Sequence, residues 1–107
     1  MPNRAPSPTK QSTYPLCDVQ TAVAARGVRC FTVSSQQDFQ ALGMTSAEAI
    51  AVIASIEPIH LHKTMPSVQH AGAFQDVYHV PSSYGLLYVK VTLQADHPPV
   101  VVSFKPK

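Results

Sequence analysis

Histidine, lysine and tyrosine are the residues here whose types and spacing can do chemistry. Five histidines occur in the 107-residue chain. His60 and His62 stand at i and i+2, the spacing that puts two imidazoles on one strand face, with His70 or His79 as a third metal ligand. No carboxylate or cysteine is spaced to complete such a set, so the expectation is no metal. One histidine acting as a general base is a separate use of the same residues, given the near-neutral titration of imidazole. Neither cysteine, Cys17 or Cys30, is marked as activated, and Cys17 falls inside a helical stretch where it is expected to pack. Ser82 and Ser103 lack the glycine elbow of a serine hydrolase.

A second constellation lies on strand-like segments. In residues 86–93, Leu87, Val89, Val91 and Leu93 point one way and Tyr88, Lys90 and Thr92 the other. In the last segment Val100, Val102 and Phe104 share a face, and Val101, Ser103 and Lys105 share the opposite one. An ordinary hairpin through residues 94–99 sets Leu93 against Val100, Lys90 against Ser103 and Tyr88 against Lys105. Facing Cβ atoms lie ~4.5–5.5 Å apart, so a phenol would sit beside an ammonium on the less apolar face. Lys63 alternates with Leu61 and Met65 in residues 59–65. Edge protection or a stem reaching water explains any one of these lysines taken alone.

The elements that must carry these residues follow from periodicity. Residues 1–12 hold three prolines and no apolar period, which predicts a mobile arm. Leu16, Val19, Ala22 and Val23 recur at helical spacing, and Gly27 ends that helix. Residues 28–33 read as a weak strand. Ser34 is placed to cap a second helix that Gly43 stops, and Thr45-Ser46-Ala47-Glu48 fits a capping box for a third, ended by Pro58. After Pro58 the period changes to two, giving strands over 59–65, 74–80, 86–93 and 100–105. Helices followed by strands predict an α+β fold, helices packed on a mainly antiparallel sheet, in a single domain over 13–107.

Composition narrows the function classes. Apolar residues make up 45% and charged residues 13%, about half the ~25% charged of an average chain, which excludes a disordered charged tail. The longest strictly apolar run, Ala49 to Ala54, is far shorter than the ~20 residues of a membrane-spanning helix. The opening MPNRAPSPTK has no apolar core of a secretory signal, which predicts a cytoplasmic protein. The net charge of +2 arises wholly after residue 62, where Lys63, Lys90, Lys105 and Lys107 outnumber Asp76 and Asp96. That is too few cations for a broad electrostatic grip on nucleic acid and enough for a small cluster.

Taken together, several segments resemble the MqsR family of bacterial toxins, RelE-like ribonucleases of type II toxin–antitoxin pairs. They are Tyr14-Pro15-Leu16 with Val19-Gln20 and Gly27-Val28-Arg29, then Lys63-Thr64-Met65, where the family usually shows Lys-Ser-Met. Phe74-Gln75-Asp76-Val77-Tyr78-His79 follows, close to the family's Trp-Gln-Asp-Val-Tyr. Tyr88-Val89-Lys90-Val91-Thr92 and Val101-Val102-Ser103-Phe104-Lys105 complete the set. This chain departs from the pattern ahead of Lys63, with Leu61-His62 where Phe-Tyr is usual, and across residues 66–72, where His70 stands in for a family histidine.

The resemblance implies a RelE-like small toxin fold and an mRNA-cleaving endoribonuclease that arrests growth and needs no cofactor. Attack of the ribose 2′-OH on the adjacent phosphate would leave a 2′,3′-cyclic phosphate and a 5′-OH. It assigns Lys63, Gln75, Tyr88 and Lys105 as catalytic and Met65 as a base contact, while Lys90 and Tyr78, which the strand counts put on the Tyr88 face, are read as substrate-binding. Lys63 and Lys105 would stabilise charge on the phosphate, and Tyr88 would orient it or relay a proton. Gln75 is the exception to the face count: a tight hairpin pairing Val80 with Leu86 puts Asp76 and Tyr78, not Gln75, beside Tyr88. The partners implied are mRNA and an MqsA-like antitoxin that binds zinc and carries a helix-turn-helix. The competing readings are a non-catalytic RNA-binding module on the same sheet face and a metal-dependent enzyme using His60 and His62.

Overall fold

Three helices precede four strands, the order that hydrophobic periodicity predicts. The computed structural model describes residues 11–67, 72–93 and 100–107. In it α1 is Leu16–Arg26, α2 Val33–Ala41 and α3 Ser46–Ser55, followed by β1 Leu61–Pro66, β2 Phe74–Ser82, β3 Gly85–Val91 and β4 Val101–Pro106. The strands form one antiparallel sheet in the order β1-β2-β3-β4, so the chain is α+β. Of the expected arm, residues 1–10 lie outside the described residues. The loop 94–99 and residues 68–71, His70 among them, lie outside them too.

Local chemistry accounts for each helix. α1 buries Val19 and Val23 and ends at Gly27, whose φ of +65° favours glycine. Cys17 is off that buried stripe and exposed, contrary to the expectation that it packs. The capping box of α3 is present: Thr45 Oγ1 accepts from the Glu48 amide at 3.1 Å, and Glu48 Oε1 accepts from the Thr45 amide at 2.8 Å. At the other end of α3 the Gln20 side-chain amide donates to the carbonyls of Ile53, Ala54 and Ile56. One α1 side chain thereby satisfies helix-end acceptors that would otherwise lack partners.

Residues 28–33 do not form the expected strand. Gly27–Cys30 coils into a 3-10 turn, and Phe31 alone bridges to Val101, in parallel. The reason is the next cap: Thr32, not Ser34, accepts from the Ser35 amide at 3.1 Å, so helix geometry resumes at Val33. α3 ends at Ser55, and Pro58 begins a short 3-10 turn, Pro58–His60, rather than stopping the helix directly.

The core lies between the helices and one face of the sheet. Leu61, Tyr78, Val80, Leu87, Val89, Val91, Val101 and Phe104 meet Val19, Val23, Phe39, Ala49 and Ile53 there. Phe31, Phe39 and Phe104 pack as a cluster with centroids 5.4–6.0 Å apart. Asp76 is on this same side and fully buried; its two oxygens accept from the Thr13 and Tyr14 amides at 2.9 and 3.0 Å. The segment before α1 is pinned to the sheet by those bonds.

Candidate functional site

The strand registers decide which side chains share the other face. Across β3 and β4, Tyr88 opposes Lys105 and Lys90 opposes Ser103, as the hairpin count predicts. A bulge sets in beyond Lys90 and brings Val91 opposite Val101, which leaves the Tyr88–Lys105 row intact.

The β2–β3 register differs by one residue from the tight-hairpin expectation. Val80 opposes Leu87, not Leu86, and His79 opposes Tyr88. The strands run on through Pro81 and Ser82 to a two-residue turn, Ser83-Tyr84, before Gly85 at φ +97°. Pro81 is tolerated because the β1 ladder ends near Tyr78, leaving that part of β2 with a single neighbour. The turn is tied down: Ser82 Oγ accepts from the Tyr84 amide, and the Tyr84 hydroxyl donates to Glu48 of α3 at 3.1–3.2 Å. One residue of register flips every side chain, so Gln75, Val77 and His79 share the Tyr88 face and Asp76 and Tyr78 do not.

β1 carries a bulge between Leu61 and Lys63. Leu61 opposes Tyr78 and is buried in the core, whereas Lys63 opposes Val77 and Met65 opposes Gln75 on the open face. The expected alternation of Leu61 with Lys63 fails for this reason. His62, the extra residue of the bulge, stacks on His79 with centroids 4.1 Å apart and planes 20° from parallel. His79 in turn lies 6.1 Å from Tyr88.

The open face thus brings together Lys63, Met65, Gln75, His62, His79, Tyr88, Lys90 and Lys105. The Nζ atoms of Lys90 and Lys105 lie 5.9 and 5.5 Å from the centroid of the Tyr88 ring, within cation–π range. Gln75 is buried between strands, whereas Lys63 and Lys105 are exposed. Asp76 is the one carboxylate in the four strands and is engaged on the opposite side. This face is therefore cationic and suited to an anion.

Tyr78 stands apart from this group. It is 1% exposed on the helix side and borders a cleft of about 420 Å³ with Ser12, Thr13, Leu16 and Leu61. Burial pushes its phenol up. A substrate lying on the Tyr88 face has no access to it.

His60 does not pair with His62 on a strand face. It lies in the turn Pro58–His60, and its Nδ1 accepts from the Glu57 amide at 3.0 Å. Among the described residues no three histidines, cysteines or carboxylates come together as a metal site. The stacked pair His62–His79 is the arrangement that sequence reasoning missed. Its signal was present in the i+4 spacing of Gln75 and His79, but using it required the correct turn.

A helical layer backing one face of a four-stranded antiparallel sheet, with lysines, imidazoles and a phenol on the other, defines a small α+β protein with a cationic open sheet face. The chain belongs to the family described as motility quorum-sensing regulator, toxin of MqsA, whose model matches residues 11–106. It is a toxin of a toxin–antitoxin system, and an antitoxin is its partner. No curated protein matches the chain. Among the described residues no helix is long and apolar enough to cross a membrane.

Proposed function

We propose that this toxin is a metal-independent endoribonuclease that acts in the cytoplasm on mRNA and arrests growth. The ribose 2′-OH attacks the adjacent phosphodiester and leaves a 2′,3′-cyclic phosphate and a 5′-OH. Lys63 and Lys105 stabilise the negative charge that builds on the phosphate oxygens, Tyr88 orients the phosphate, and Gln75 donates to it from the sheet floor. Lys90 adds a phosphate contact and Met65 packs against a base. Tyr78 has no part. The observation that carries the reading is the row Tyr88–Lys105, with Lys90 alongside, on an open face to which the four strands contribute no carboxylate.

The antitoxin fits as a zinc-binding protein with a helix-turn-helix half, so zinc in a purified complex belongs to the partner. A small, cysteine-bearing, helix-turn-helix protein encoded beside this one supports the assignment.

Incubating the purified toxin with mRNA in EDTA tests the function. Cleaved ends bearing cyclic phosphate are expected. Intact bound RNA indicates a non-catalytic binding module instead. In cells, a folded Lys63→Ala/Lys105→Ala double variant permits growth, and arrest by that variant overturns the assignment.

A further inference from the structure

We propose that the stacked pair His62–His79 is the proton donor and acceptor of this toxin, a step that rests on the ribonuclease reading above. Transesterification forms the bond from O2′ to phosphorus and breaks the bond from phosphorus to O5′. A proton must leave the 2′-OH and another must reach the departing 5′-oxygen. The lysines of the open face supply charge, and the amide of Gln75 donates hydrogen bonds but neither gives up nor takes on a proton near neutral pH. Imidazole is the side chain whose ordinary titration lies between about pH 5 and 8, which suits it to both transfers.

The geometry is specific to this task. His79 opposes Tyr88 directly across the β2–β3 ladder, in the row that ends at Lys105. His62 reaches it only because the β1 bulge inserts one residue between Leu61 and Lys63, and bulges re-aim side chains beside active sites. Among the described residues, the titratable and charged groups that the registers place on the same face as the pair are Lys63 from β1, Tyr88 and Lys90 from β3, and Lys105 from β4. In the turn before β1, His60 is already engaged by the Glu57 amide. No carboxylate on the strands faces the pair, since Asp76 lies on the helix side.

The two imidazoles lie side by side, with centroids 4.1 Å apart and planes 20° from parallel, so one phosphodiester can meet both. The neutral ring takes the proton of the 2′-OH, and the protonated ring gives its proton to O5′. The pair ends with one proton, as it began, with the rings exchanged, and proton exchange with water resets it.

The test is the pH–rate profile of RNA oligonucleotide cleavage in EDTA for the wild type, His62→Gln, His79→Gln and Lys105→Ala. A second substrate carries sulfur in place of the 5′-bridging oxygen, because a thiolate departs without a proton. Each histidine variant is expected to slow cleavage of ordinary RNA on the order of 10²–10³-fold and to lose one limb of a bell-shaped profile. The variant lacking the acid recovers on the sulfur substrate. Lys105→Ala is slow yet keeps both limbs. His62 is exposed, so His62→Gln reports on chemistry even if His79→Gln folds poorly. Wild-type rates and an unchanged profile in His62→Gln and folded His79→Gln, with Lys105→Ala still impaired, overturn the proposal and leave the ribonuclease intact. A wild type that does not cleave RNA overturns both.

Discussion

Lys105 holds its Nζ 5.5 Å from the centroid of the Tyr88 ring, and the two residues are direct partners across β3 and β4. The ladder fixes the phenol, while the lysine, near the chain end and exposed, contributes charge rather than packing. Lys105→Ala is therefore expected to lower RNA cleavage on the order of 10²–10³-fold, roughly 2.7–4 kcal/mol of transition-state stabilisation. The melting temperature stays at the wild-type value. A thermal melt beside single-turnover cleavage separates the two effects, and a fall in stability that matches the lost activity counts against a catalytic role.

Asp76 makes the opposite prediction. Its carboxylate is fully buried and accepts from the Thr13 and Tyr14 amides. Asp76→Ala leaves both donors without that partner, at a cost of about 2–3 kcal/mol. Urea unfolding should show the loss as a lower midpoint, while the folded fraction still cleaves RNA at the wild-type rate. Wild-type stability in Asp76→Ala would mean that the segment before α1 is held by other contacts.

Tyr88, Lys90 and Lys105 were legible as one face because strand alternation and a single hairpin relate them, and the β4 bulge sets in only beyond Lys90. Gln75 was not, because its face depends on where the β2–β3 turn closes. Pro81 looks like a turn residue yet lies inside the strand, and the turn itself is Ser83-Tyr84. Tyr78 was misplaced by the same single residue of register. Leu61 and Lys63 share a face in any regular strand, and only the bulge at His62 parts them. Capping was legible at Thr45 and Glu48, where the partners are three residues apart. At Thr32 it was not, since Ser34, two residues on, is an equally good capping type.

Glu48 links α3 to the β2–β3 turn and makes stability pH-dependent. Its carboxyl is held below the ordinary value of 4.5, first by the Thr45 amide and then by the Tyr84 hydroxyl. A depressed carboxylate stabilises the folded state fully above its ordinary value, and the contribution is lost as pH falls through the lower folded value. The melting temperature should fall across that acid window, and Glu48→Gln should flatten this part of the profile. An identical acid profile in Glu48→Gln would assign the loss to another group.

The two cysteines should separate cleanly under alkylation. Cys30 is buried, its Sγ donates to the Ala22 carbonyl at 3.3 Å, and burial pushes its thiol up. Cys17 is exposed on α1. Because the thiolate is the reacting form, native protein treated with iodoacetamide near neutral pH should take up one label, at Cys17. Denaturant should release the second site. Mass spectrometry of the intact chain reads the count and peptide mapping the position. Equal labelling of both residues without denaturant would show that the α1 side of the core opens on the timescale of the reaction.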